Sequence, residues 1–280
     1  MSYNPEIPRE RYNNYGDREW TRLEKDGQGE LLYRVHLEIL NRHIKANDKV
    51  LEIGAGSGRY TKDIVQLCKS LTVSDISEHQ IEFNKFKMKE LSLLSKIESY
   101  HVLDVLNMEV FPDSSFDCIV CIGGVINYLL DKEKDGVAEM LRVLKPNGLI
   151  VVGAMSFVGA SLYHLNGIRY EKDQFGMEAT KWLFNTGTQD EEHYPVPSKH
   201  YVHMMRCSEM DDLFNQFPVK IVERSSAGLY TQAGDIALEN ARNDKDFWEL
   251  IVEKEIQFTK LPGTLDCGMN IIYVVQKIDS

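Results

Sequence analysis

The chain has 280 residues, 43% of them hydrophobic and 27% charged, which suits a globular protein with a buried core in one large or two small domains. Acidic residues outnumber basic ones 43 to 32, for a formal net charge of −11, so a nucleic-acid partner, held by Lys and Arg on phosphates, is not expected. No apolar run approaches the roughly 18 residues of a bilayer span, and the opening MSYNPEIPRERYNNYGDREW lacks the apolar region of a secretory signal; a cytoplasmic protein with no membrane partner is expected.

In chain order, Leu32, Val35, Ile39 and Leu40 make a helical stripe within residues 31–44. Residues 50–53 read as a short buried strand running into Gly54-Ala55-Gly56-Ser57-Gly58. Tyr60, Ile64, Leu67 and Cys68 share one helical face, and a second strand over residues 71–73 ends at Ser74-Asp75. Ser77-Glu78-His79-Gln80 has the pattern of a capping box and opens a helix running toward Leu94. Residues 99–103 form the third strand, which ends at Asp104, and residues 116–122 the fourth. Val137, Met140, Leu141 and Leu144 mark a helix halted at Pro146-Asn147-Gly148, before a fifth strand at 149–152. Strands alternating with helices at this spacing predict an α/β fold, a mostly parallel sheet covered on both faces.

The regularity breaks over residues 156–201, too long for a simple connection and read as a lid or small subdomain. Ser208-Glu209-Met210-Asp211 predicts a helix cap, residues 219–223 and 270–276 two further strands, and residues 235–259 a largely helical stretch. The expected organisation is a helical cap (1–44), an α/β core (45–155), the insertion (156–201) and the completion of the core (202–280). Cys118 and Cys121 have the spacing of a redox or zinc pair, but they lie three apart on one strand. Their thiols therefore face opposite sides and cannot share a metal.

The chemistry concentrates in Val50-Leu51-Glu52-Ile53-Gly54-Ala55-Gly56-Ser57-Gly58. Glycines after a strand let the backbone approach a ligand closely. A dinucleotide fingerprint would need a third glycine where Arg59 stands, and the Glu52 carboxylate would repel a pyrophosphate. A ligand carrying ammonium and sulfonium charges suits Glu52 better. This stretch resembles the first motif of the class I S-adenosylmethionine-dependent methyltransferases, an acidic residue followed by G-x-G-x-G. Asp75, Asp104-Val105, Ile122-Gly123-Gly124 and the run LKPNGLIVV resemble the later motifs in their order, over roughly residues 45–155.

The resemblance implies a doubly wound, Rossmann-like sheet of seven strands, mostly parallel, and S-adenosyl-L-methionine as cofactor. It places Glu52, Gly54, Ala55, Gly56, Asp75, Ile76, Gln80, Asp104, Val105, Ile122 and Gly123 around that cofactor, with Asp75 on the ribose hydroxyls and Asp104 at the adenine. It also implies an N-terminal helix over the cofactor, where Tyr12, Tyr15 and Trp20 offer cation–π faces and Arg18 a partner for the methionine carboxylate; the same residues also suit a helix merely anchored on the surface. Tyr128 sits where the family lines the transfer site, and ordinary packing would also account for it.

Among His164, His193, His200 and His203, an acceptor's proton needs one base, with His203 the candidate. In an extended stretch His200 and His203 face opposite sides, so no metal is expected there. Trp182, Phe184, Tyr194 and Tyr201 either wall the acceptor pocket or form a small core of their own. The Asn/Asp-Pro-Pro-aromatic motif of the nucleobase amino-methyltransferases is replaced by Gly123-Gly124-Val125-Ile126, which favours a small-molecule acceptor. Two rival functions are a non-catalytic S-adenosylmethionine-binding regulator and, less compatible with Glu52, an NAD-dependent oxidoreductase.

Overall fold

The computed structural model describes residues 2–15, 18–21, 25–196 and 199–278. Three helices come first: α1 (Glu6–Tyr15), α2 (Arg18–Thr21) and α3 (Gly27–His43). The core then alternates β1 (Lys49–Ile53), α4 (Thr61–Leu67), β2 (Ser70–Asp75), α5 (Glu78–Glu90), β3 (Ile97–Val102), β4 (Phe116–Cys121), α6 (Val125–Tyr128), α7 (Glu133–Val143) and β5 (Leu144–Met155). Two helices, α8 (Phe157–Tyr163) and α9 (Leu165–Thr186), precede the two-residue strands β6 (Thr188–Gln189) and β7 (Val202–His203). The chain closes with α10 (Cys207–Phe214), β8 (Val219–Ala227), α11 (Asp235–Arg242), α12 (Lys245–Phe258) and β9 (Asn270–Lys277).

Seven strands form one sheet in the order β3-β2-β1-β4-β5-β9-β8. β1 to β5 are mutually parallel, and β9 runs antiparallel between β5 and β8. The order of the first five strands reverses between β1 and β4, and the crevice beyond their carboxyl ends there is where such sheets bind ligands.

Each central strand is buried on both faces, so successive residues feed two separate cores. Ile119 and Cys121 join one with Leu51, Ile150, α7 and α10, while Cys118 and Val120 join the other with Val50, Val151, α3 and α4. That alternation separates the two thiols, and burial pushes Cys121 up to about 12 and Cys118 higher still. Both act as small apolar side chains.

The capping signals mostly hold. Ser77 Oγ accepts from the Gln80 N–H at 3.1 Å and starts α5. At the next predicted cap the helix begins two residues earlier than expected. Arg206 occupies the cap position, its N–H donating to Glu209 at 2.7 Å, and Ser208 lies inside the first turn. The turn expected at Pro146-Asn147-Gly148 is instead the start of a long β5, with Asn147 at φ 61°. Residues 235–259 split into two helices because Asp244 caps a new one, accepting from the Phe247 N–H.

The insertion is mainly helical. α9 kinks at Gly176 (φ 90°, ψ 175°), and Ile168, Ala179, Leu183 and Tyr194 form a small core of their own. Pro197, within the insertion, lies outside the described residues. Among the described residues no helix is long and apolar enough to cross a membrane.

Candidate cofactor and acceptor site

The site grows from the carboxyl ends of β1, β2 and β4. Past β1 the chain turns through Gly54 (φ 68°), Gly56 (φ 53°) and Gly58 (φ 95°), left-handed conformations that side chains rarely adopt. The close approach is as demanding as the angles. A Cβ on Gly54 would lie 2.2 Å from Val125 Cγ2, and one on Gly123 would lie 2.9 Å from the Gly54 carbonyl oxygen. The loops after β1 and β4 thus meet nearly backbone to backbone at the order reversal.

Asp75 ends β2 and ties this loop down, accepting from the Gly56 N–H and the Ser77 N–H, each at 2.8 Å. Two N–H donors leave a carboxylate further acceptor capacity for a ligand diol. Asp104, after β3, accepts from the Leu106 N–H at 2.9 Å and from the Tyr3 hydroxyl at 2.8 Å. Burial and the Asp104 charge together push the Tyr3 phenol far above its usual range. Glu52 is buried at 3% exposure, and its Oε2 accepts from the Thr61 hydroxyl at 2.6 Å. Burial drives its pKa up to about 8; the Thr61 hydrogen bond opposes this and the Asp75 charge adds to it.

These groups line one cavity of about 500 Å³, within the range of small-molecule and cofactor sites. Each sequence-predicted cofactor position except Gln80 lines it, and so does Tyr128. The residues suit S-adenosylmethionine on two further observations. Gly54, Ala55, Gly56 and Gly123 present their backbone to the cavity, and the buried Ser57 hydroxyl at its edge has no hydrogen-bond partner among the described residues.

Gln80 acts at one remove. Its side-chain amide donates to the Tyr12 carbonyl at 3.2 Å, and the Ser77 hydroxyl donates to Asn13 at 2.6 Å, so α5 holds α1 over the cavity. Pro8, Arg11, Tyr12 and Tyr15 line it from α1, at the spacing of a single helical face. That stripe was legible in the sequence, and Arg11 within it is a site residue the sequence reading passed over.

Arg18 does not reach the cavity; its Nε donates to the Tyr15 carbonyl at 3.1 Å and its guanidinium covers the Tyr15 ring. The arginine at the glycine loop is Arg59, which stands where a dinucleotide fingerprint has its third glycine. It is 3% exposed, with its guanidinium 5.2 Å from the Trp20 ring and 4.9 Å from the Tyr33 ring. Trp20 therefore supports Arg59 and does not line the cavity.

Among the described residues, the insertion reaches the cavity through His164 and His200. Tyr194 belongs to the small core, Tyr201 is buried elsewhere, Trp182 stacks on His193 at 4.2 Å, and Phe184 is 42% exposed. None of the four aromatics walls the cavity.

His203 also lies away from it. Its Nδ1 is 2.9 Å from Glu133 and its Nε2 3.5 Å from Glu209. Burial alone would lower its pKa, but the two carboxylates outweigh that and raise it to about 9. An imidazolium in an ion pair has no lone pair to accept a proton. His200, three residues earlier and facing the other way, stands at the cavity with its ring centroid 5.7 Å from that of Tyr128. Burial, with the positive influence of Arg11 and His164, brings His200 down to about 4. The Tyr128 and Tyr12 hydroxyls pair at 2.9 Å beside it.

Comparison with known proteins agrees with this geometry. The family model described as a methyltransferase domain matches residues 51–152, from β1 into β5. A ubiquinone/menaquinone biosynthesis C-methyltransferase of Francisella philomiragia is 31% identical over 154 residues, which are 54% of this chain and 58% of that protein. The chain thus spans little more than half the length of the curated relatives it matches. Among solved structures, the N-methyltransferase NodS of Bradyrhizobium japonicum, in complex with S-adenosyl-L-homocysteine, superposes with a TM-score of 0.56 at 17% identity over 94% of each chain. The [4+2]-cyclase SpnF superposes with a TM-score of 0.56 at 13% identity, over 88% of this chain and 82% of that one. Residues 51–152 thus match a methyltransferase domain, and the fold is the one shared by these solved structures.

Proposed function

We propose that this protein transfers the methyl group of S-adenosylmethionine to a small-molecule acceptor. The observation that carries the reading is the union, in one cavity, of the Glu52, Gly54, Asp75 and Asp104 stations with the cluster of Tyr12, Tyr128 and His200. Asp75 holds the ribose hydroxyls, Asp104 the adenine edge, Glu52 the ammonium and Arg59 the methionine carboxylate. Ile76, Val105 and Ile122 flank the ring, and the backbone at Gly54, Ala55, Gly56 and Gly123 shapes the floor. Bound there, the cofactor supplies an electrophilic methyl group on a cationic sulfur.

The chain's share of catalysis is position and dryness: α1 closes the cavity, and Tyr128 orients the acceptor. His200, neutral at physiological pH and adjacent to Tyr128, accepts a hydrogen bond from an acceptor hydroxyl rather than its proton. The cyclase with the same fold supports keeping a second reading, a binder of the cofactor that performs no methyl transfer.

Two measurements separate the readings. S-adenosylhomocysteine should bind and raise the melting temperature, since ligand binding to the folded state stabilises it by mass action. Incubation with a metabolite extract and isotopically labelled S-adenosylmethionine should then yield a labelled, methylated product. Binding without any labelled product would leave only the second reading.

A further inference from the structure

We infer that Asn127 is a positioning residue for methyl transfer: its buried side chain braces the Tyr128 and His200 walls of the cavity against the end of β5, and so sets how the acceptor meets the cofactor. The inference rests on the methyl-transfer reading and adds a residue that does not itself line the cavity.

Neither wall is long enough to hold itself. Tyr128 ends α6, a single turn of four residues, and isolated helices that short do not persist in water. His200 precedes β7, which pairs with β6 over two residues, less than an independent hairpin needs. The Tyr128 and His200 rings nevertheless face each other at 5.7 Å between centroids. Their spacing has to be set by groups that tie both segments to something rigid.

The rigid element is β5, and the tie is the Asn127 amide. β4 pairs with β5 as far as Cys121, opposite Val152. Beyond that point β9 still flanks β5, with Met155 opposite Asn270. The Asn127 side chain pairs with the end of β5 as a further strand would. Its Oδ1 accepts from the Met155 N–H at 2.8 Å, and its Nδ2 donates to the Met155 carbonyl at 3.4 Å. The same Nδ2 donates to the His203 carbonyl at 2.7 Å. One amide therefore joins α6, β5 and β7.

The constraint travels a short way in each direction. Tyr128 is the next residue along α6. Towards His200 the chain passes through Val202 and Tyr201, which are buried, while the His203 ring is held from elsewhere by Glu133 and Glu209. Met155, which the amide grips by both backbone groups, lines the cavity too. Only a side chain that both donates and accepts can make these bonds at once, and Asn127 is fully buried, so water cannot stand in for it.

The test uses the full chain, S-adenosylmethionine labelled in its methyl group, and the ultrafiltered small-molecule fraction of a cell extract as the source of acceptor. Label transfer is followed across a dilution series of that fraction. The plateau rate is divided by the number of S-adenosylhomocysteine sites counted calorimetrically, so that unfolded protein does not enter. In Asn127→Ala the plateau per site should fall about 100-fold, the cost of a reacting group misplaced by about 1 Å. The dilution giving half the plateau should move less than about fivefold, and S-adenosylhomocysteine affinity should stay within about twofold. Should that variant fail to fold, Asn127→Asp carries the test. It keeps an acceptor for the Met155 N–H and loses the N–H donor to His203, so its plateau should fall likewise. A plateau per site within about threefold of wild type in the folded variant would overturn the inference, because a purely structural amide lowers the number of sites and not the rate at each. A loss of S-adenosylhomocysteine affinity in step with the plateau would overturn it as well. No label transfer by the wild-type chain would instead defeat the underlying reading, and this one with it.

Discussion

Glu52→Gln should make the ligand-free protein more stable while weakening its hold on the cofactor. The carboxyl is fully buried, and burial lifts its pKa from 4.5 to about 8 in the folded chain. Between those values the folded state keeps a proton that the unfolded chain releases. Unfolding therefore becomes easier as pH rises through the window. Integrating the two titration curves from about pH 5.5 to about pH 8.5 gives a loss on the order of 3 kcal/mol attributable to this one carboxyl. The amide of glutamine has nearly the same shape, can still accept from Thr61, and does not titrate.

Urea unfolding at both pH values, on wild type and variant, isolates the effect, because every other titrating group is common to the two proteins. The variant should gain on the wild type by roughly 3 kcal/mol from the lower to the higher pH. Calorimetry should in turn show S-adenosylhomocysteine binding weakened by about 1–3 kcal/mol, since its ammonium loses a charged partner. A wild-type-minus-variant difference that stays flat with pH would show that the Glu52 carboxyl is not desolvated as the structure has it, and the argument would fail at its root.

Other parts of the fold carry their own tests. His203 has a folded pKa raised to about 9, so its contribution is complete below about pH 6.5 and disappears as pH rises through about 9. His203→Gln should thus cost about 1–2 kcal/mol near pH 6, allowing for partial solvent screening, and almost nothing near pH 10; a pH-independent deficit in urea would refute the ion pair. Gly159→Ala drives a Cβ to within 1.8 Å of the Gly268 carbonyl oxygen, backbone against backbone. The expected loss is roughly 3 kcal/mol or more by thermal melt. By contrast Gly167→Ala, in α9 with nothing within 4 Å, should be neutral or stabilising by up to about 1 kcal/mol. Equal melting temperatures for the two variants would contradict the packing described.

The sheet, and the gathering of the glycine loop and strand-end carboxylates into one cavity, were legible in the residues. Runs such as Cys118 to Cys121, and Val50 to Ile53 apart from Glu52, are apolar without alternation because both faces of a central parallel strand are buried. The glycines, Asp75 and Asp104 lie where strands end, so local order along the chain maps directly onto the crevice. The cap at Ser77 was equally local, since its hydroxyl bonds an N–H three residues on.

The acceptor half depended on the tertiary structure. His200 and His203 are three residues apart and chemically identical in the sequence. Only packing against Tyr128 on one side, and against Glu133 and Glu209 on the other, makes one a neutral cavity wall and the other a charged tie. Likewise Arg11, Arg18 and Arg59 are indistinguishable as charges until α1 docks on α5 and Trp20 covers Arg59. Hydrophobic period and turn chemistry are properties of neighbours along the chain, whereas burial and charge pairing depend on residues as far apart as His203 and Glu133, brought together only when the fold closes.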